Sequence, residues 1–231
     1  MQWRLLAGVI VCFIYTQAFG ITLSPTVIEL NTDHQLTSQL VVSNNSTKTL
    51  ALEANVRRLT FAPNGTFETS TSSSPNEDIL VFPPAAMLAP GKRQTFRIQW
   101  LSKVPLEMSQ SYFIRFSTAD INRSSTQVEK VNGLSTGINL QIHYNALLHV
   151  HSSSLQPDIK LHIGEHGSLT LTNTGNRFTF TSLLRFDNLP DDINQTVHKA
   201  LGEQFVPPHS TITVHSSSIQ LPVGIYHGYE N

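Results

Sequence analysis

What most constrains this chain is a two-residue beat, broken every few residues by turn formers. Alternation of apolar and polar residues puts one face of an extended strand on a core and leaves the other in solvent. Such runs recur along the chain, and nothing resembles a long amphipathic helix. Residues 21–30 read as a first strand, with Pro25 marking an edge or a bend because proline cannot donate to a ladder. Residues 36–43 read as a second, closed by Asn-Asn-Ser-Thr, and Leu50, Leu52, Ala54 and Val56 alternate along a third. A fourth, Ile-Leu-Val-Phe, stops at Pro83-Pro84. Phe96, Ile98 and Trp100 lie on a fifth, and Tyr112, Ile114 and Phe116 on a sixth. A polar loop over 120–137 precedes a long seventh strand, residues 138–150.

Seven strands in about 130 residues predict an immunoglobulin-like sandwich. His-Ser-Ser-Ser-Leu, residues 151–155, reads as a linker, and residues 156–231 carry a second β pattern that predicts a smaller sandwich. The expected fold class is all-β: two immunoglobulin-like sandwiches, residues 21–150 and 156–231, joined by a short linker with a cleft between them.

Residues 1–20 read as a secretory signal peptide rather than as part of the fold. Arg4 supplies the positive start and residues 5–15 an apolar run too short to span a bilayer. Ala18-Phe19-Gly20 supplies the small residues of a cleavage site. The sole cysteine, Cys12, lies in that leader, so the exported chain has no disulfide, no thiolate ligand and no thiol nucleophile. Without Arg4, 14 basic residues stand against 16 acidic ones, a net charge of −2 that is no electrostatic match for nucleic acid. Five Asn-X-Ser/Thr sequons occur, at Asn44, Asn45, Asn64, Asn122 and Asn194. They carry little weight in a chain so rich in Asn, Ser and Thr.

Enzyme chemistry finds little footing. His149 and His151 share one face of a strand, but no His-Glu-x-x-His spacing or third ligand accompanies them, so surface or linker histidines are expected and no metal. There is no Gly-x-Ser-x-Gly elbow and no phosphate-binding glycine loop, so neither an enzyme nor ATP use is expected. Asp191-Asp192 falls in an apparent loop and reads as a solvated pair. An exported adhesion or carbohydrate-binding sandwich is the alternative class, since such folds host many functions.

Four stretches, in their order and spacing, resemble the periplasmic chaperones of the chaperone–usher pilus pathway. They are LVVSNNSTKTLALEANVRRL, ILVFPPAAMLAPGKRQTFRI, SYFIRF and LTNTGN. The resemblance is nearer the divergent branches called alternate or archaic. The Arg of the first strand and Lys of the seventh that bind a subunit's C-terminal carboxylate in the best-known branch are missing here. The resemblance implies pilin or fimbrial subunits and an outer-membrane usher as partners, a periplasmic location, no cofactor, and donation of the seventh strand to a subunit's open groove. Ile138, Leu140, Ile142 and Tyr144 are the expected donor side chains. Periodicity alone favours plain core residues, because every half-buried strand alternates this way; the resemblance reverses that balance. An apolar edge also invites aggregation, so the free form is expected to guard it by self-association or by ordering the 120–137 loop. For the subunit carboxylate, Arg97 is the first candidate, from its place in the Pro-Gly–strand signature. Arg115 is the second; both alternate out of phase with the core.

Overall fold

The computed structural model describes residues 20–69, 78–119, 142–215 and 221–230. The first domain is a sandwich of two sheets. One has the order β1 (Ile21–Ser24), β3 (Thr37–Asn44), β8 (Arg93–Trp100), β6 (Ile79–Phe82). The other has the order β2 (Val27–Asn31), β10 (His143–His151), β9 (Gln110–Ala119), β4 (Leu50–Phe61), β5 (Phe67–Thr69), with β7 (Ala85–Leu88) also on β4.

Residues 21–30, which read as a single strand, serve both sheets, and the chain that continues past the fourth strand does the same. β1 pairs with β3, whereas β2, beyond Pro25, pairs with β10. Likewise β6 pairs with β8, and β7, beyond Pro83-Pro84, pairs with β4. Proline offers no N–H to continue a ladder. The chain therefore leaves one sheet there and joins the other, tying the two layers together along both flanks. Between them lie Leu40, Val42, Phe96, Ile98, Tyr112, Ile114, Phe116 and Leu148, all fully buried. Phe96 and Phe116 meet edge to face at 4.8 Å between ring centroids, and Trp100 meets Tyr112 at 6.5 Å, arrangements that aromatic quadrupoles favour.

The second domain has a five-stranded sheet in the order β14 (Leu184–Phe186), β17 (Gly224–Glu230), β11 (Ile159–Ile163), β12 (Ser168–Asn173), β16 (Ser210–His215). A small pair, β13 (Thr179–Phe180) with β15 (Phe205–Val206), and one helix, α1 (Asp191–Leu201), complete it. The Asp191-Asp192 loop expected from the sequence is instead the first turn of that helix. Acidic residues there, His198 and Lys199 in the last turn, and Gly202 beyond it all suit the helix dipole and its termination. Ile193, Val197 and Leu201, spaced four apart, turn onto the core formed by Ile159, Leu161, Leu171 and Phe186. Among the described residues no helix is long and apolar enough to cross a membrane.

Each domain closes one strand end with a buried asparagine. Asn44 Nδ2 donates to the carbonyls of Lys48 and Leu88, both at 2.8 Å, while its Oδ1 accepts from Ser46 N at 2.9 Å. Asn173 Nδ2 donates to the carbonyls of Arg177 (2.8 Å) and Pro207 (3.1 Å), and its Oδ1 accepts from Gly175 N at 3.0 Å. Both are fully buried, and Asn194 is nearly so. The sequons at Asn44 and Asn194 are thus structural positions, closed to any sugar.

Candidate functional site

β10 divides into two halves. Its inward row, Ala146, Leu148 and Val150, is fully buried, so the C-terminal half is ordinary core. Toward the N-terminus the same row climbs out of the sandwich. Tyr144 is half-buried against the core and Ile142 is 46% exposed. Ile138 and Leu140 lie outside the described residues.

The edges of the strand divide at the same place. β9 pairs with β10 from His143 to Val150. On the opposite side the parallel strand β2 covers only Leu147 to His151, and its contact begins with Leu147 N donating to Thr26 O at 2.8 Å. From His143 to Ala146 that edge has no partner among the described residues. An unpaired edge carrying alternate apolar side chains is a template for one more strand.

The outward row of β10 faces the second domain. His149 is 1% exposed, and its Nδ1 lies 2.8 Å from Ser111 Oγ on β9. Its ring stacks on Phe205 at 4.6 Å and 19°, lies 4.8 Å from Phe178, and meets Phe180 edge-on at 5.8 Å. His151, 7% exposed, sits against Phe178 at 5.7 Å. Phe61 on β4 reaches Phe205 at 5.3 Å. Three hydrogen bonds fasten the rim: Ser109 N to Asn176 O (2.9 Å) and Thr211 N to Pro63 O (2.7 Å) between backbones, and Phe178 N to the Ser109 hydroxyl Oγ (3.0 Å). The surface or linker histidines expected from the sequence are therefore buried ones, because the second domain covers the face on which they lie. Among the described residues no group of three or more His, Cys, Asp or Glu is gathered to hold a metal.

The linker is clasped rather than loose. Asp33 accepts from Ser153 N at 2.7 Å and from Ser152 Oγ at 3.0 Å. The Ser153 N–H, followed by the Ser152 hydroxyl, holds its carboxyl below the usual carboxylate range. Beyond the linker, Asn176 Oδ1 accepts from Gln156 N at 2.9 Å. A Cβ on Gly175 would fall 2.4 Å from Asp158 N and Gln156 O, so only glycine lets the Asn-Thr-Gly-Asn turn press so closely on the incoming backbone.

The two candidate arginines fall on different sheets. Arg97 is exposed on the outer face of the sheet that lacks β10, beside Gln39 and Phe82. Arg115 lies directly across from Asn145 of β10, with its Nε donating to Asn145 Oδ1 at 3.0 Å. It shares the outward face with Ser111 and His149, so it stands over the flank beside the second domain, about 13 Å along the strand from His149. Sequence reasoning found β10 and both arginines, but missed Ser111, Phe61, Phe178, Phe180 and Phe205. The available signal was aromatic side chains out of phase with the core on polar strand faces.

A family model described as pili and flagellar-assembly chaperone, PapD N-terminal domain, matches residues 20–144. No curated protein matches the chain by sequence. Similar solved structures include a chain of the chaperone–tip adhesion subunit pre-assembly complex CsuC–CsuE, from the archaic Csu pili of Acinetobacter baumannii. It is 15% identical with a TM-score of 0.51, covering 87% of this chain and 91% of that one. Another comes from the Salmonella enterica SafA pilin in complex with the SafB chaperone, 15% identical with a TM-score of 0.52, covering 88% and 86%. The E. coli chaperone DraB is 14% identical with a TM-score of 0.51, covering 87% and 86%. At these identities the likeness is one of fold.

Proposed function

The chain belongs to the family of pili and flagellar-assembly chaperones, and we propose that it holds exported pilus subunits by lending them the N-terminal half of β10. A subunit that is a sandwich short of one strand has an apolar groove lined by unpaired backbone. The donor must be extended, open on one edge, and apolar at every second position. The observation that carries this assignment is the row Ile142 and Tyr144 leaving its own core where β2 stops pairing. Ile138 and Leu140 continue the row in sequence. Each such side chain contributes roughly 1.5–3 kcal/mol when fully buried, so four outweigh the cost of ordering the segment and leave useful affinity.

Arg115 is the residue we assign to the subunit's C-terminal carboxylate. It stands on the sheet and face that border β10, and its planar fork can hold a carboxylate bidentately while keeping Asn145 as a neighbour. Arg97, one sheet away, has no such placement. The work is done by binding alone, in the periplasm, and ends with transfer of the subunit to an outer-membrane usher. Until then the open edge is guarded by a second copy or by the segment 120–137, which lies outside the described residues.

The test is co-expression in the periplasm with the small exported proteins encoded beside the gene. A β-rich subunit should co-purify stoichiometrically with the wild-type protein. It should be lost when Leu140 and Ile142 become Asp, and be reduced with Arg115→Ala but not with Arg97→Ala. Equal recovery by the double-Asp variant removes the donor strand, and glycan binding without a protein client would favour an adhesion module.

A further inference from the structure

The buried histidine at the domain interface does not enter the subunit-binding scheme, and it is chemically odd. His149 has one ring nitrogen satisfied by Ser111, while Nε2 is buried without a partner in the wall of Phe178, Phe180 and Phe205. A buried imidazole that serves only as packing material could be replaced by an aromatic ring with no orphaned nitrogen. Here a titratable ring with an unpartnered nitrogen sits where the two domains touch, next to the clasped linker about which they would turn.

We propose that His149 is a proton-operated latch: neutral, it seals the two domains face to face, and protonated, it releases them to hinge about residues 152–155 and open the cleft beside Arg115. The device does not depend on the identity of any subunit.

The groups that face it decide the direction. On its own strand His151 is the only titratable group that acts on it electrostatically, and a second positive charge there opposes protonation. β9 contributes Ser111 and, further along, Arg115; β4 contributes Phe61 and Arg57; β2, in register on the other side, contributes Glu29. From the second domain come three phenylalanines, with Glu203 ahead of β15 accepting from Ser182 Oγ and Arg177 paired with Glu230. The carboxylate in register with it, Glu29, is exposed to solvent and bonds neither ring nitrogen, so charge on the buried ring is repaid only in part, by the ring faces.

Burial, with His151 adding to it, lowers the His149 pKa from 6.5 to about 4. An exposed imidazole in the opened form keeps the ordinary value. The closed form is therefore fully favoured above pH 6.5 and loses ground as the pH falls toward 4. Across that window the closing constant drops by roughly 300-fold, tenfold for each pH unit inside it.

Residues 21–231 contain no cysteine, so in that span spin labels on cysteines placed at exposed Lys48 and Lys199 report the interdomain distance without background. The wild-type distribution should be narrow at pH 7.5 and broaden progressively between pH 6 and 4, with far-UV circular dichroism unchanged. His149→Phe fills the same space with no proton site and should remain narrow throughout; His149→Gln serves if that variant does not fold. A wild-type distribution still narrow at pH 4 overturns the latch. So does equal broadening in the non-titrating variant, or broadening only when the circular dichroism collapses.

Discussion

One strand with two fates gives a sharp double test. Leu148 of β10 and Ile142 just ahead of that strand continue one alternating row, six residues apart, yet one is fully buried and the other 46% exposed. Leu148→Ala deletes buried methyl groups from a close-packed core and should cost about 2–5 kcal/mol, with around 3 as the central value. For a chain of this size each kcal/mol lowers Tm by roughly 2–4 °C, so the first-domain transition should fall by about 6–12 °C. Ile142→Ala removes a side chain that already meets water, and stability should change by no more than about 0.5 kcal/mol. Subunit affinity should invert the order. If Ile142 becomes fully buried in the complex, its loss forfeits about 1.5–3 kcal/mol, a weakening of roughly 10- to 150-fold. Thermal unfolding of the purified variants, followed by titration with the co-purified subunit, measures both quantities. Equal loss of Tm in the two variants would show that the whole row is core. An unchanged affinity for Ile142→Ala would remove it from the donor set.

Two further substitutions probe what holds the second domain and its linker in place. Asn173→Ala strands the carbonyls of Arg177 and Pro207 and the N–H of Gly175, each worth about 1–3 kcal/mol when buried unpaired, so unfolding in urea should shift by about 3 kcal/mol or more. Gly175→Ala drives a methyl group into the backbone of residues 156 and 158, which cannot step aside like a side chain; a loss of about 1–3 kcal/mol or more is expected, together with faster proteolysis at the linker.

Much of the first domain was legible because a half-buried strand writes its two-residue period directly into the sequence. The positions of the core residues Leu52, Phe96, Ile98, Trp100, Tyr112, Ile114 and Phe116 were all readable this way. Periodicity is silent about which sheet a strand joins, so residues 21–30 read as one strand, and the fourth strand, read as stopping at Pro83-Pro84, gave no sign of β7 beyond it. Pro25 and Pro83-Pro84, where the chain changes layer, were the only clue. The helix at Asp191–Leu201 escaped because eleven residues with few apolar positions look like a loop unless the caps are weighed. Ile193, Val197, Leu201 and Gly202 were nonetheless the signal. His149 and His151 looked like surface residues because alternation put them opposite the core. Only the tertiary placement of Phe178, Phe180 and Phe205 reveals that a second apolar wall covers that face. For the same reason out-of-phase spacing made Arg97 and Arg115 equivalent, whereas sheet membership separates them.

The central claim is that the uncovered edge of β10 takes a subunit strand, and amide hydrogen exchange of this chain with and without its subunit tests it most directly. The amides of His143 and Asn145, which point to the same edge as Leu147 N while those of Tyr144 and Ala146 face β9, should gain strong protection in the complex, and residues 147–151, already paired on both sides, should change little. Protection that appears elsewhere and leaves His143 and Asn145 exchanging as in the free protein would contradict the claim.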